Sequence, residues 1–171
     1  MADFFVFFNT GIPLNILYLS LFITGLLIFV ILIWGKIYKK KQYILMVLLG
    51  EYLFTVISST LIFRRPSTFA FNRLEIMPFW TYKAILDHIP GVSIWDIVLN
   101  IVLFIPLGFL IELLYPSISI LRIVLITMVC SLFIEVCQYF YEKGIAQFDD
   151  MMHNTIGAMV GWCMASLIVR K

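Results

Sequence analysis

Apolar residues run almost unbroken through five stretches of the chain, roughly 13–34, 43–63, 92–115, 120–140 and 150–169, and polar residues gather in the breaks between them. A helix crosses the bilayer core with about 20 mostly apolar residues, and each stretch reaches that length. The pattern therefore predicts an all-α fold: a polytopic transmembrane bundle of about five spans, built as a single membrane domain over 1–171. No internal repeat or low-complexity segment interrupts it. The connection at 64–91, RRPSTFAFNRLEIMPFWTYKAILDHIPG, is too long for a tight turn and too aromatic for a solvated linker. It is expected to lie along the interface or to re-enter the membrane, with the rings of Phe79, Trp80 and Tyr82 buried and their polar atoms reaching water. Pro66, Pro78 and Pro90 break any long helix within it.

Composition agrees with the pattern. The chain is 63% hydrophobic and 13% charged, with a mean hydropathy of +1.04, and cannot cover itself with polar surface as a soluble domain does. A net charge of +2, with the basic residues at helix ends, argues against nucleic acid as a partner. Cys130, Cys137 and Cys163 fall inside spans and read as small buried hydrophobes rather than a disulfide framework or a metal cage. The segment before the first span carries Asp3 and no Lys or Arg, so that span is expected to be retained rather than cleaved as a signal peptide.

The first break, GKIYKKKQ, holds Lys36, Lys39, Lys40 and Lys41, which places it in the cytoplasm by the positive-inside rule. Alternation then puts the N-terminus, the 64–91 connection and the 141–149 turn outside, and Arg170 and Lys171 inside.

Whichever way the protein points, the end of the second span, the start of the third, the end of the fourth and the start of the fifth share one membrane face. They carry Arg64 and Arg65, then Asp96 and Asn100, then Glu135 and Gln138, then Asp149, Asp150, His153 and Asn154. Asp96 with Asn100, Glu135 with Gln138, and Asp150 with Asn154 stand three or four residues apart, so each pair can share one face of its helix. Glu135 would lie about 9 Å below the helix end, where an unpaired ionised side chain costs about 3 kcal/mol or more. It should be protonated, paired with Arg64 or Arg65, or facing a wet cavity.

Two accounts of these residues stand side by side. They can cap helices and bond to one another as interhelical glue, which is preferred for Asp149 at a helix N-terminus. They can instead line a functional cavity, which is preferred for Glu135, Asp150 and the arginines together. Asp149, Asp150 and His153, with Glu135 nearby, could offer ligands to a divalent ion, but an Asp-Asp followed by His is a weak signal, and neither metal nor cofactor is expected. His153 reads better as a hydrogen-bonded interface residue, and His88 has only its exposure.

No nucleophile elbow, zinc pair or phosphate loop is present. Ser131, one turn from Glu135, reads as satisfying its own backbone rather than as a hydrolase serine. Gly157, Gly161 and Ala165 continue the Asn154 face as a small-residue stripe that lets another helix approach. Pro106 and Gly108, in LFIPLGF, suit a kink that neighbouring helices or water can satisfy. Glu112 lies near the opposite mouth, and Glu51 reads as a structural polar contact.

The ordered set RRP at 64–66, IMPFWTY at 76–82, NIVLFIPLGFL at 100–110, SLFIEVCQYF at 131–140 and FDDMMHNTIGAMVGW at 148–162 resembles the VanZ-like family of bacterial membrane proteins over roughly residues 60–165. The resemblance implies a place in the bacterial cell membrane and a link to low-level resistance to glycopeptides, teicoplanin in particular. Arg64 or Arg65, Pro78, Phe79, Asn100, Pro106, Gly108, Glu135, Gln138, Asp150, Asn154 and Gly157 match the family's recurring positions. Many members carry an arginine shortly before the aspartates; Lys143 stands nearby here, keeping the charge without the forked geometry.

The expected function is an outward-facing polar cavity that binds a membrane lipid or lipid-linked cell-wall precursor headgroup. Arg64 and Arg65 would hold an anionic group, and Asn100, Glu135, Gln138, Asp150 and Asn154 would complete the site. One alternative is an enzyme on an envelope lipid using Glu135 and Asp150 as an acid–base pair. Another is a structural subunit that meets a second copy or a partner membrane protein through the Gly157/Gly161 face. A transporter fits less well, since five spans without an inverted repeat offer no alternating-access pair.

Overall fold

The computed structural model describes residues 13–34, 39–64 and 74–169. Among these run six α-helices: α1 (Leu14–Trp34), α2 (Lys40–Ile57), α3 (Trp80–Leu86), α4 (Ile94–Leu114), α5 (Ile120–Phe140) and α6 (Phe148–Val169). All but the short α3 are long and apolar enough to cross a membrane, five in all, as the hydropathy pattern predicts. The protein is a multi-pass helical membrane protein. The second helix begins at Lys40 rather than 43, and the last begins at Phe148 rather than 150, which brings Asp149 and Asp150 into its first turn. Lys36, Arg65, Pro66, Arg170 and Lys171, all used above, lie outside the described residues.

The closest packing joins α4 to α6. A Cβ on Gly157 would run into the Ile101 carbonyl, one on Gly161 into the Ile105 carbonyl, and one on Gly108 into the backbone of Ala158. Lipid tails are as apolar as the helices, so association inside a bilayer depends on such close contact. The small-residue stripe of the sequence is therefore filled by α4 of the same chain. Around this seam Val56, Phe104, Leu107, Ile111, Ile123, Ile134 and Ala158 form one apolar cluster drawn from α2, α4, α5 and α6.

Pro106 removes one N–H from the α4 ladder, and one turn below it the Tyr52 hydroxyl of α2 donates to the Leu103 carbonyl at 3.0 Å. The helix α1 stays at the edge, with nothing buried in its apolar window. It is tied to α2 by Ser20 and Thr24, whose hydroxyls donate to the two oxygens of Glu51 at 2.8 and 2.9 Å. Glu51 is thus the structural contact expected of it.

Two features went unpredicted. The last turn of α2 runs on as a π-helix, Ser58–Ile62, closed by the Phe63 N–H on the Ser58 carbonyl at 2.9 Å. Two short strands, β1 (Leu74–Glu75) and β2 (Ala146–Gln147), pair in parallel, Leu74 opposite Ala146 and Glu75 opposite Gln147. The pairing ties the connection after α2 to the threshold of α6.

Candidate functional site

The π-turn, the start of α4, the end of α5 and the start of α6 meet at one end of the bundle. Changing the hydrogen-bond register in a π-turn offsets the backbone ladder, and the Gln138 amide of α5 donates to the Thr60 carbonyl there at 3.3 Å. The C-terminus of α5 closes in a Schellman turn: the Lys143 N–H reaches the Gln138 carbonyl at 2.8 Å and the Glu142 N–H reaches that of Tyr139 at 3.3 Å. Glu142 takes the left-handed conformation at φ 55°. The turn swings Lys143 back so that its ammonium donates to the Arg64 carbonyl at 2.6 Å. The exposed Arg64 side chain lies over Gly144, where a Cβ would stand 3.1 Å from the guanidinium.

Asp149 and Asp150 are neighbours with different work. Asp149 is buried and accepts the Phe79 and Thr81 N–H groups, both at 2.7 Å, at the N-terminus of α3. Asp149 stands in the first turn of its own helix, as expected, and also caps α3, a helix nearly seventy residues earlier. Thr81 adds a hydroxyl bond to the Gln147 side chain at 2.9 Å, and the Tyr82 hydroxyl meets His153 Nε2 at 2.9 Å with the rings edge to face. His153 is the interface residue foreseen. Its Nδ1 is buried without a hydrogen-bond partner among the described residues. Together with the β1–β2 bridge, these contacts dock α3 on the head of α6, leaving Phe79 and Tyr82 exposed.

Asp150 turns the other way. It is hydrogen-bonded by the Asn100 side chain and lies within electrostatic reach of Arg64, Asp96 and Asp149. Glu135, only 5% exposed, accepts the Gln147 N–H at 2.9 Å through one oxygen and interacts with both Asp150 and Arg64. Asp96 accepts the Ser93 N–H at 2.7 Å, securing the start of α4, and also lies in the field of Arg64. One turn below Asp150, the buried Asn154 amide donates to the Ser131 hydroxyl at 2.7 Å, while its Oδ1 has no partner among the described residues. Ser131 is thus an interhelical acceptor. Along α5, Thr127, Ser131, Glu135 and Gln138 form one buried polar face.

The structure therefore brings Arg64, Asn100, Glu135, Gln138, Asp150 and Asn154 to one end, while Arg65 lies outside the described residues. The arrangement can present one cation and several acceptors to a polar group at the membrane surface. Among the described residues no three His, Cys, Asp or Glu side chains converge to hold a metal. Sequence reasoning missed Gln147 and Thr81, whose contacts span the chain; the one signal available was a polar residue immediately before the FDD run.

No curated protein and no solved structure matches this chain. The VanZ/LLP1 family matches it over residues 43–169, taking in α2 as well as the 60–165 stretch that carries the resemblance and leaving α1 outside. With four of the five spans and the whole polar end inside that match, the chain belongs to the VanZ/LLP1 family.

Proposed function

We propose that this VanZ-like protein works in the bacterial cell envelope, binding the headgroup of a membrane lipid or lipid-linked wall precursor at the Arg64 end and so altering tolerance to glycopeptides such as teicoplanin. The observation that carries this reading is the exposed Arg64 side chain lying within electrostatic reach of carboxylates from three different helices, Asp96, Glu135 and Asp150. A purely structural ion pair needs one acid, and it has no need of an exposed cation. Arg64, with Arg65 beside it in sequence, holds the anionic part of the headgroup. Asn100, Asp150 and Glu135 receive the rest, with Gln138 and Asn154 supporting them. The lysines of the first break orient this end outward.

The test is teicoplanin susceptibility in a deletion strain complemented with wild type, Glu135→Gln or Asp150→Asn at matched membrane levels. The expected result is tolerance restored by wild type alone. Equal restoration by all three would make the polar end structural. The closeness of Glu135 and Asp150 favours a second reading, acid–base chemistry on an envelope lipid. That reading requires a lipid species that accumulates in the deletion strain and clears on complementation.

A further inference from the structure

The Arg64 end is asymmetric in its hydrogen-bonding capacity. Arg64 supplies donors at the exposed rim. Lys143 Nζ is already turned onto the Arg64 carbonyl. Below it, among the described residues, the charged groups are all acceptors, and the amides of Asn100, Gln138 and Asn154 are already spent on Asp150, Thr60 and Ser131. Asp150 and Asp96 sit half-buried, Glu135 is buried with one oxygen on the Gln147 N–H, and the Asn154 Oδ1 is buried with no donor among the described residues. An amide oxygen left bare in a membrane interior is destabilising, and gathered carboxylates repel one another. Both penalties are relieved by a ligand group that is cationic and carries N–H donors. A bare phosphate would satisfy Arg64 and worsen the rest.

Resting on the headgroup reading above, we infer that the ligand's headgroup joins a phosphate to a primary ammonium, the phosphate on Arg64 and the ammonium among Asp96, Asp150 and Glu135. Phosphoethanolamine is the simplest such group. The unpartnered Asn154 oxygen, one helical turn beneath Asp150, marks the direction the ammonium takes. A choline headgroup has the same charges but no N–H donor, and a glycerol headgroup has hydroxyl donors but no cation. The inference therefore separates three lipids that share one phosphate.

The experiment titrates the detergent-solubilised full-length protein with short-chain phosphatidylethanolamine, phosphatidylcholine and phosphatidylglycerol, following the thermal unfolding midpoint. The ethanolamine lipid should half-saturate at a concentration at least about tenfold lower than the other two, equivalent to about 1.4 kcal/mol. Asp150→Asn should remove that preference. Should that variant fail to fold, the wild-type comparison decides alone. Soluble phosphoethanolamine, run in parallel, names the source: a response matching the lipid's assigns the free headgroup, and a weaker one assigns the membrane lipid. Equal half-saturation by all three lipids, each weakened by Arg64→Gln, would overturn the ammonium and leave headgroup binding standing. Lipid responses indifferent to Arg64→Gln would overturn both.

Discussion

Each end of the bundle buries a glutamate, and the two are put to different use. Glu112, fully buried at one end, accepts the Ser117 N–H at 3.2 Å. Ser117 stands at φ 72°, a left-handed conformation that costs a non-glycine residue about 1–2 kcal/mol, and the bond from its N–H steadies the α4–α5 turn. Nearby, the Trp162 indole donates to the Ile118 carbonyl at 3.0 Å, fixing α6 to the same turn. Glu135, at the other end, also accepts one backbone N–H, yet it shares its surroundings with Asp150 and with a guanidinium that reaches solvent. Burial of an acid in a membrane helix thus does not by itself make a site. Convergence of acids from three helices on one exposed cation distinguishes the Arg64 end.

That contrast can be broken most severely at the seam on which both ends depend. Gly157→Leu would force a side chain into the Ile101 carbonyl, and α4 cannot withdraw without opening the apolar cluster. The expected outcome is loss of monodisperse protein after detergent extraction; a well-behaved variant with wild-type unfolding would contradict the packing described. A smaller effect sharpens the distinction between the two adjacent aspartates. Asp149→Ala removes both 2.7 Å acceptors from the head of α3, which should cost about 3 kcal/mol for bonds to a charged group. It should also expose the connection before α4 to protease nicking. If nicking were unchanged, the docking of α3 would not depend on Asp149.

Much of the fold was legible because a membrane span is a local property. Length and apolarity place each helix within a few residues, and three- or four-residue spacing predicts which polar groups share a face. Alternation alone brought Arg64, Asn100, Glu135 and Asp150 to one end. The spacing of Gly157 and Gly161 announced a close approach, but nothing local named α4 as the helix that approaches. The β1–β2 bridge, the π-turn under Gln138 and the capping of α3 by Asp149 were illegible for the same reason. Each joins segments far apart in the chain, and two-residue strands carry no periodicity. Asp149 and Asp150 look alike in sequence; only the docked α3 separates the cap from the site.

The most direct test of the contrast compares Arg64→Gln with Glu112→Gln in one titration, using short-chain anionic phospholipid and the full-length protein. Arg64→Gln should weaken binding at least about tenfold, as expected on removing a charge-assisted contact to phosphate, with the unfolding midpoint of the lipid-free protein little changed. Glu112→Gln should lower that midpoint and leave lipid affinity as in wild type. If the two variants weakened binding equally, or if Arg64→Gln left it intact, the Arg64 end would be no more a site than its opposite.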